Sequence, residues 1–133
     1  MHTQFDCLIT LALAARPRAY ATYPKFAVGA AIKCKSGAVF LCYNIHNRSF
    51  DPMIFAERVA IGAAVAGGER DFVEIAVTSD SDEPIVPCGL CRQFLAEFNP
   101  DLIMVNTTLR GDRKIDNLSR LLPDPVRGIL KAC

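Results

Sequence analysis

The sequence predicts an α/β layered domain built on a mixed sheet. Three observations carry that expectation. Short apolar runs of strand character alternate along the chain with longer segments of helical period. Glycine and proline punctuate them, and no linker, internal repeat or low-complexity tract intervenes. At 133 residues the chain reads as one domain over 1–133, long enough to bury a full core and too short for two.

A first helix is expected from about Thr3 to Ala15, ended by Pro17. Val28 to Cys34 and Ala38 to Asn44 read as strands around a Lys35-Ser36-Gly37 turn, hence a hairpin. The stretch from Ile45 to Met53 is polar, carries Pro52 and reads as a loop. A second helix starts near Ile54 and stops at Gly67-Gly68. Its Ala56, Val59, Ala60, Ala63 and Ala64 recur at helical spacing, and residues that small allow close packing on a sheet. Phe72 to Ser79 is a third strand. An acidic loop with Pro84 and Pro87 then leads into a third helix that carries Cys88 in its first turn. Leu102 to Thr107 is a fourth strand, and a short segment around Lys114 precedes a last helix near Leu118 to Leu122, capped by Asn117.

Hydrophobic residues make up 51% and charged residues 22%, the balance of an ordinary soluble domain. The formal net charge is +1, and without a basic face a tight nucleic-acid partner is not expected. Residues 7–15 are apolar, but the preceding MHTQFD has no Lys or Arg, so an amphipathic helix and a cytoplasmic protein are expected rather than a signal peptide. Nothing approaches the roughly 20 apolar residues of a membrane span. Of the six cysteines, only Cys88 and Cys91 stand at a motif spacing. In a reducing compartment such a pair reads as metal-binding or redox-active, and the other four as small core residues or surface thiols.

The chemistry concentrates in PCGLCRQFLAEF and in FAER, whose Glu57 stands 31 residues before Cys88. Hydrolytic removal of an exocyclic amine needs a hydroxide at neutral pH and a proton carrier. Zinc supplies the first by lowering the pKa of bound water towards 7, and a nearby carboxylate supplies the second. The signature of that chemistry is H-x-E, with Cys a common substitute for the His, followed by P-C-x-x-C. Two cysteines at i and i+3 in a helix start place both sulfurs on one side, where the helix N-terminus favours thiolate over thiol.

On these residues the chain resembles the small, tetrameric cytidine deaminase family. The likeness runs from Ala19 to Pro123 through AYATYPKFAVGAA, NIHNRSF, AERVAIGAAVAGG, IAV, PCGLCRQFLAEF and a closing LLP. It implies a three-layer α/β/α fold with a mixed five-stranded sheet, a zinc cofactor, a small nucleoside-like substrate and a homotetramer with pockets built across interfaces. Position by position, it implies Glu57 as proton shuttle and Cys88 and Cys91 as zinc ligands. It places Phe26 beside the pyrimidine, Asn44 on a ribose hydroxyl, Ala56 as a backbone contact to the base, and Arg58 as a donor to the zinc thiolates.

Four positions depart from the family pattern. Phe55 stands where the third zinc ligand is expected, His46 where a ribose-binding glutamate is, Phe50 where a tyrosine is offered to a neighbouring subunit, and Val126 where an aromatic stacks on a neighbour's substrate. A phenyl ring has no lone pair for zinc. Three readings stay open. His46, or less well Asp51, takes the vacant place in a Cys2His set of the kind catalytic zinc accepts. Alternatively zinc rests on the two cysteines and water, or the chain is a metal-free relative that binds a small molecule or acts in assembly. Simpler accounts stand beside these: a Cys-x-x-Cys can be a redox pair, Glu57 can serve the helix end alone, and Phe55, Phe26 and Phe50 can be core packing. The residues that persist together, Glu57 and both cysteines, favour a zinc-assisted aminohydrolase on a cytidine-like nucleoside or analogue.

Overall fold

The structure, a computed structural model, describes residues 5–16, 28–44, 56–87 and 89–125. Helix α1 covers Asp6–Ala15, strands β1 and β2 Val28–Cys34 and Val39–Tyr43, and helix α2 Ala56–Ala66. Strand β3 (Phe72–Ser79), helix α3 (Gly89–Phe98), strands β4 (Ile103–Thr108) and β5 (Arg113–Asn117) and the short helix α4 (Leu118–Leu121) follow. The five strands form one sheet in the order β2-β1-β3-β4-β5. Only β3 and β4 run parallel, joined by the crossover through α3; every other neighbouring pair is antiparallel. A mixed sheet is therefore present, as the alternation of elements predicts.

Each face of the sheet has its own core. On one, the N-cap residue Phe5 and Leu8, Ile9 and Ala12 of α1 recur at i, i+3, i+4 and i+7 and cover Ala31, Ala76 and Val105. On the other, α2 and α3 cover Ile32, Ile75, Val77 and Met104. Ala56, Ala60 and Ala64 form the small-residue stripe of α2, with Ile61 beside them fully buried. Burial of a side chain such as Ile61 or Ile75 contributes about 1.5–3 kcal/mol. The result is the three-layer α/β/α arrangement.

Local chemistry sets the ends. Gly68 follows α2 at φ 92°, a left-handed conformation that glycine adopts without steric strain. Asn99 ties the end of α3 back to the start of β3, donating from Nδ2 to the Phe72 carbonyl at 2.8 Å. Asn117 caps α4, its side chain accepting from the Ser119 N–H at 3.0 Å, a contact of about 1 kcal/mol.

The segment around Lys114 is a strand, β5, which pairs with β4 from Arg113 to Asn117. Its alternation is inverted, which hides it in the sequence. Ile115 is 52% exposed, while Asp116 is buried on the helical face and pairs with Arg120. A buried carboxylate is tolerated there because a guanidinium reaches it from the solvent side.

Helix α1 and strand β1 approach closely at Gly29. A Cβ there would lie 2.1 Å from the Ala12 carbonyl oxygen and 2.7 Å from the Arg16 amide nitrogen. Both are backbone atoms, so no rotamer change relieves the overlap. Gly29→Ala is expected to destabilise the fold by about 3 kcal/mol, read as a lower midpoint in urea unfolding.

Buried thiols give a second expectation. Burial pushes the Cys42 thiol up to about 11; it also raises Cys34, with the nearby Glu69 charge adding to the effect. Thiolate is the reactive form. At pH 7.5 a maleimide should therefore modify exposed Cys7 rapidly and reach Cys34 and Cys42 only after unfolding, as peptide mapping would show.

Candidate active site

The register fixes which parts of the chain meet. Tyr43 of β2 pairs with Gly29 of β1, Gly29 with Thr78 of β3, and Thr78 with Thr107 of β4. The C-terminal ends of β2, β3 and β4 thus lie along one end of the sheet. Helix α2 runs back from that end, since Gly67 at its far terminus meets the Phe40 ring. Helix α3 does the same, as the Asn99–Phe72 contact shows. Both lie on one face and touch each other. Two positive helix ends therefore gather over one end of the sheet, an environment that favours anionic groups.

Glu57, in the first turn of α2, is 4% exposed. Burial raises its carboxyl above the ordinary carboxylate range, against its own backbone N–H and the Arg58 charge, which pull it down. Ala56 is buried and Arg58 half-buried beside it. Cys91, in the first turn of α3, is wholly buried. Asn44 closes the end of β2, where its Oδ1 accepts from the Val28 N–H at 2.9 Å while its own N–H donates to the Val28 carbonyl at 3.2 Å. The structure therefore brings Asn44, Ala56, Glu57, Arg58 and Cys91 to the same end of the sheet. Phe26, His46, Phe50, Phe55, Cys88 and Val126 lie outside the described residues, as does Asp51.

Three polar residues that sequence reading did not single out also gather there. Ser79, Asn106 and Thr108 are all buried, at the ends of β3 and β4. Asn106 alternates with Met104 and so faces the helices, and neither its Oδ1 nor its Nδ2 has a hydrogen-bond partner. Each such group costs about 1–3 kcal/mol when left unpaired in an interior. The signal was available in LIMVNT: an asparagine interrupts an otherwise apolar run.

A cysteine sulfur near a helix N-terminus is a ligand that zinc accepts. Among the described residues no group of three His, Cys, Asp or Glu side chains converges on a point. Cys91 is the one described residue of the expected ligand set.

The family model for "Cytidine and deoxycytidylate deaminase zinc-binding region" matches residues 3–107. The chain belongs to this family. A cytidine deaminase of Halalkalibacterium halodurans is 44% identical over 117 residues, 87% of this chain and 89% of the relative. One of Sporosarcina psychrophila is 40% identical over 117 residues, 87% of this chain and 86% of the relative. Among solved structures, the cytidine deaminase of Burkholderia pseudomallei aligns with a TM-score of 0.88 at 42% identity, covering 91% of this chain and 98% of that one. The cytidine deaminase fold and its mixed five-stranded sheet are thus shared over most of the chain.

Burial of Glu57 has a measurable consequence. A carboxyl whose folded pKa is raised favours the folded state fully below the unfolded pKa, and that contribution is lost as pH rises through the folded value. In metal-free protein, Glu57→Gln should match the parent in stability near pH 4. It should exceed the parent increasingly towards neutral pH, read as paired melting temperatures across the range.

Proposed function

We propose that this chain hydrolyses the exocyclic amine of a cytidine-like pyrimidine nucleoside or analogue, with zinc as its cofactor. The observation that carries the reading is a buried carboxyl, Glu57, at the same end of the sheet as the buried thiol Cys91, in a chain 40–44% identical to cytidine deaminases. Cys88 and Cys91 would hold the metal, with His46 as the third ligand that Phe55 cannot be. Zinc supplies a hydroxide-like nucleophile at neutral pH.

The chain's own groups do the rest. Glu57 would take a proton from the attacking water and deliver it to ring N3, then take the second proton from the newly attached hydroxyl and pass it to the amine, which leaves as ammonia as the ring carbonyl forms. A carboxyl already raised by burial holds that proton closer to neutral pH than an exposed one. Phe26 would flank the pyrimidine, Asn44 and His46 the sugar, and the Ala56 backbone the base. Phe50 and Val126 would close pockets from neighbouring subunits, and Arg58 would donate to the thiolates.

A homotetramer is part of this proposal. Phe94 of α3 is 42% exposed and lines a surface cavity of about 340 Å³ with Gln93, Glu97 and Phe98, an apolar face suited to another subunit. A cytoplasmic setting is proposed as well. Cys7, Cys34 and Cys42 are free thiols, which a reducing compartment preserves. No described helix is long and apolar enough to cross a membrane.

Protein purified without chelator or affinity metal should carry near one zinc per chain and consume cytidine in an absorbance assay. Glu57→Gln should lower kcat by about 10²–10⁴-fold. Turnover that survives complete metal removal defeats the zinc reading. A chain with neither metal nor activity is instead the metal-free relative.

A further inference from the structure

We infer that Arg92 is a positioning residue of this site, holding the turn that carries the two cysteines against the end of α4. The inference rests on the deaminase reading above. The half-buried Arg92 guanidinium spans two carbonyls: Nε donates to Pro87 O at 2.8 Å and Nη1 to Leu121 O at 3.0 Å.

Both acceptors are carbonyls that secondary structure leaves over. Pro87 stands two residues before α3 begins at Gly89, outside the reach of the helix's own hydrogen-bond ladder, and it is buried. Leu121 is the last residue of α4, and the final carbonyls of a helix have no partner within it. One planar fork with donors at fixed separation therefore completes two helix ends at once. Pro87 immediately precedes Cys88, and Arg92 immediately follows Cys91. The first hydrogen bond thus joins residues 87 and 92, which bracket both cysteines in sequence, and the second anchors Arg92 to a different element 29 residues away in sequence.

Lysine cannot make this bridge, because one ammonium on a flexible stem has no fork to reach two carbonyls. If the role were charge alone, Arg92→Lys would preserve it. Geometry and charge are therefore separable.

The test uses the full chain with its metal as purified, comparing the parent, Arg92→Lys and Arg92→Gln. Both variants should lose about 10–100-fold in kcat on cytidine with KM within a few-fold, the pattern of a displaced reacting group. Amide hydrogen exchange over residues 87–93 should rise about tenfold or more while β1 and β3 keep their protection. Wild-type kcat in Arg92→Lys overturns the inference, as does unchanged exchange over 87–93. If Arg92→Gln does not fold, Arg92→Lys carries both readouts, since it keeps the charge and the aliphatic stem. If the parent turns over no substrate, the deaminase reading fails while the exchange comparison still decides whether the clamp exists.

Discussion

The direction of two helices is the constraint on which the rest depends. Helices α2 and α3 each run back along the strand that precedes them, so both begin over the same end of the sheet. A helix start is a place of unpaired N–H groups and positive potential. Placing two of them side by side makes one small region receptive to carboxylate and thiolate. Glu57 and Cys91 occupy the first turns there, and both are removed from solvent.

That region differs from the rest of the sheet in what it buries. Towards the middle, the helical face presents Ile32, Ile75, Val77 and Met104, which pack as a conventional apolar core. At the far end Phe72 and Phe98 meet with ring centroids 5.2 Å apart, a geometry aromatic pairs favour. At the helix-start end the strands instead finish in Asn44, Ser79, Asn106 and Thr108, all buried. A domain of this size is stable by only about 5–15 kcal/mol, and burying polar groups lowers that margin. The apolar packing of both faces offsets that cost.

The family relationship and the altered positions act on different scales. The chain is 40–44% identical to two cytidine deaminases over 87% of its length. Against that likeness, Phe55, His46, Phe50 and Val126 are four single positions, all outside the described residues. A fold tolerates such exchanges because its stability is spread over many buried side chains. A metal site does not, because its ligands are few and each is chemically specific. Arg58 and Arg92 link the two scales: one places charge beside Glu57, the other joins the cysteine turn to α4.

Apolar runs and their glycine and proline punctuation determined β1 and β3 to the residue and placed α1, α2, α3, β2 and β4 within a few positions, because most of the side chains these elements bury are apolar. The sequence also located α4 through its Asn117 cap. It missed β5, whose inward residue is Asp116 and whose outward one is Ile115; only the pairing with β4 and the contact from Arg120 make that pattern stable. Glu57, Cys88 and Cys91 stand at a spacing that matches a known chemistry, and of these the structure describes Glu57 and Cys91, both buried. What the tertiary structure decided was proximity: that Asn106 and Ser79 end on strands beneath the same helix starts, and that Arg92 reaches Leu121. Such contacts depend on strand order and helix direction, which a linear pattern of apolar residues does not encode.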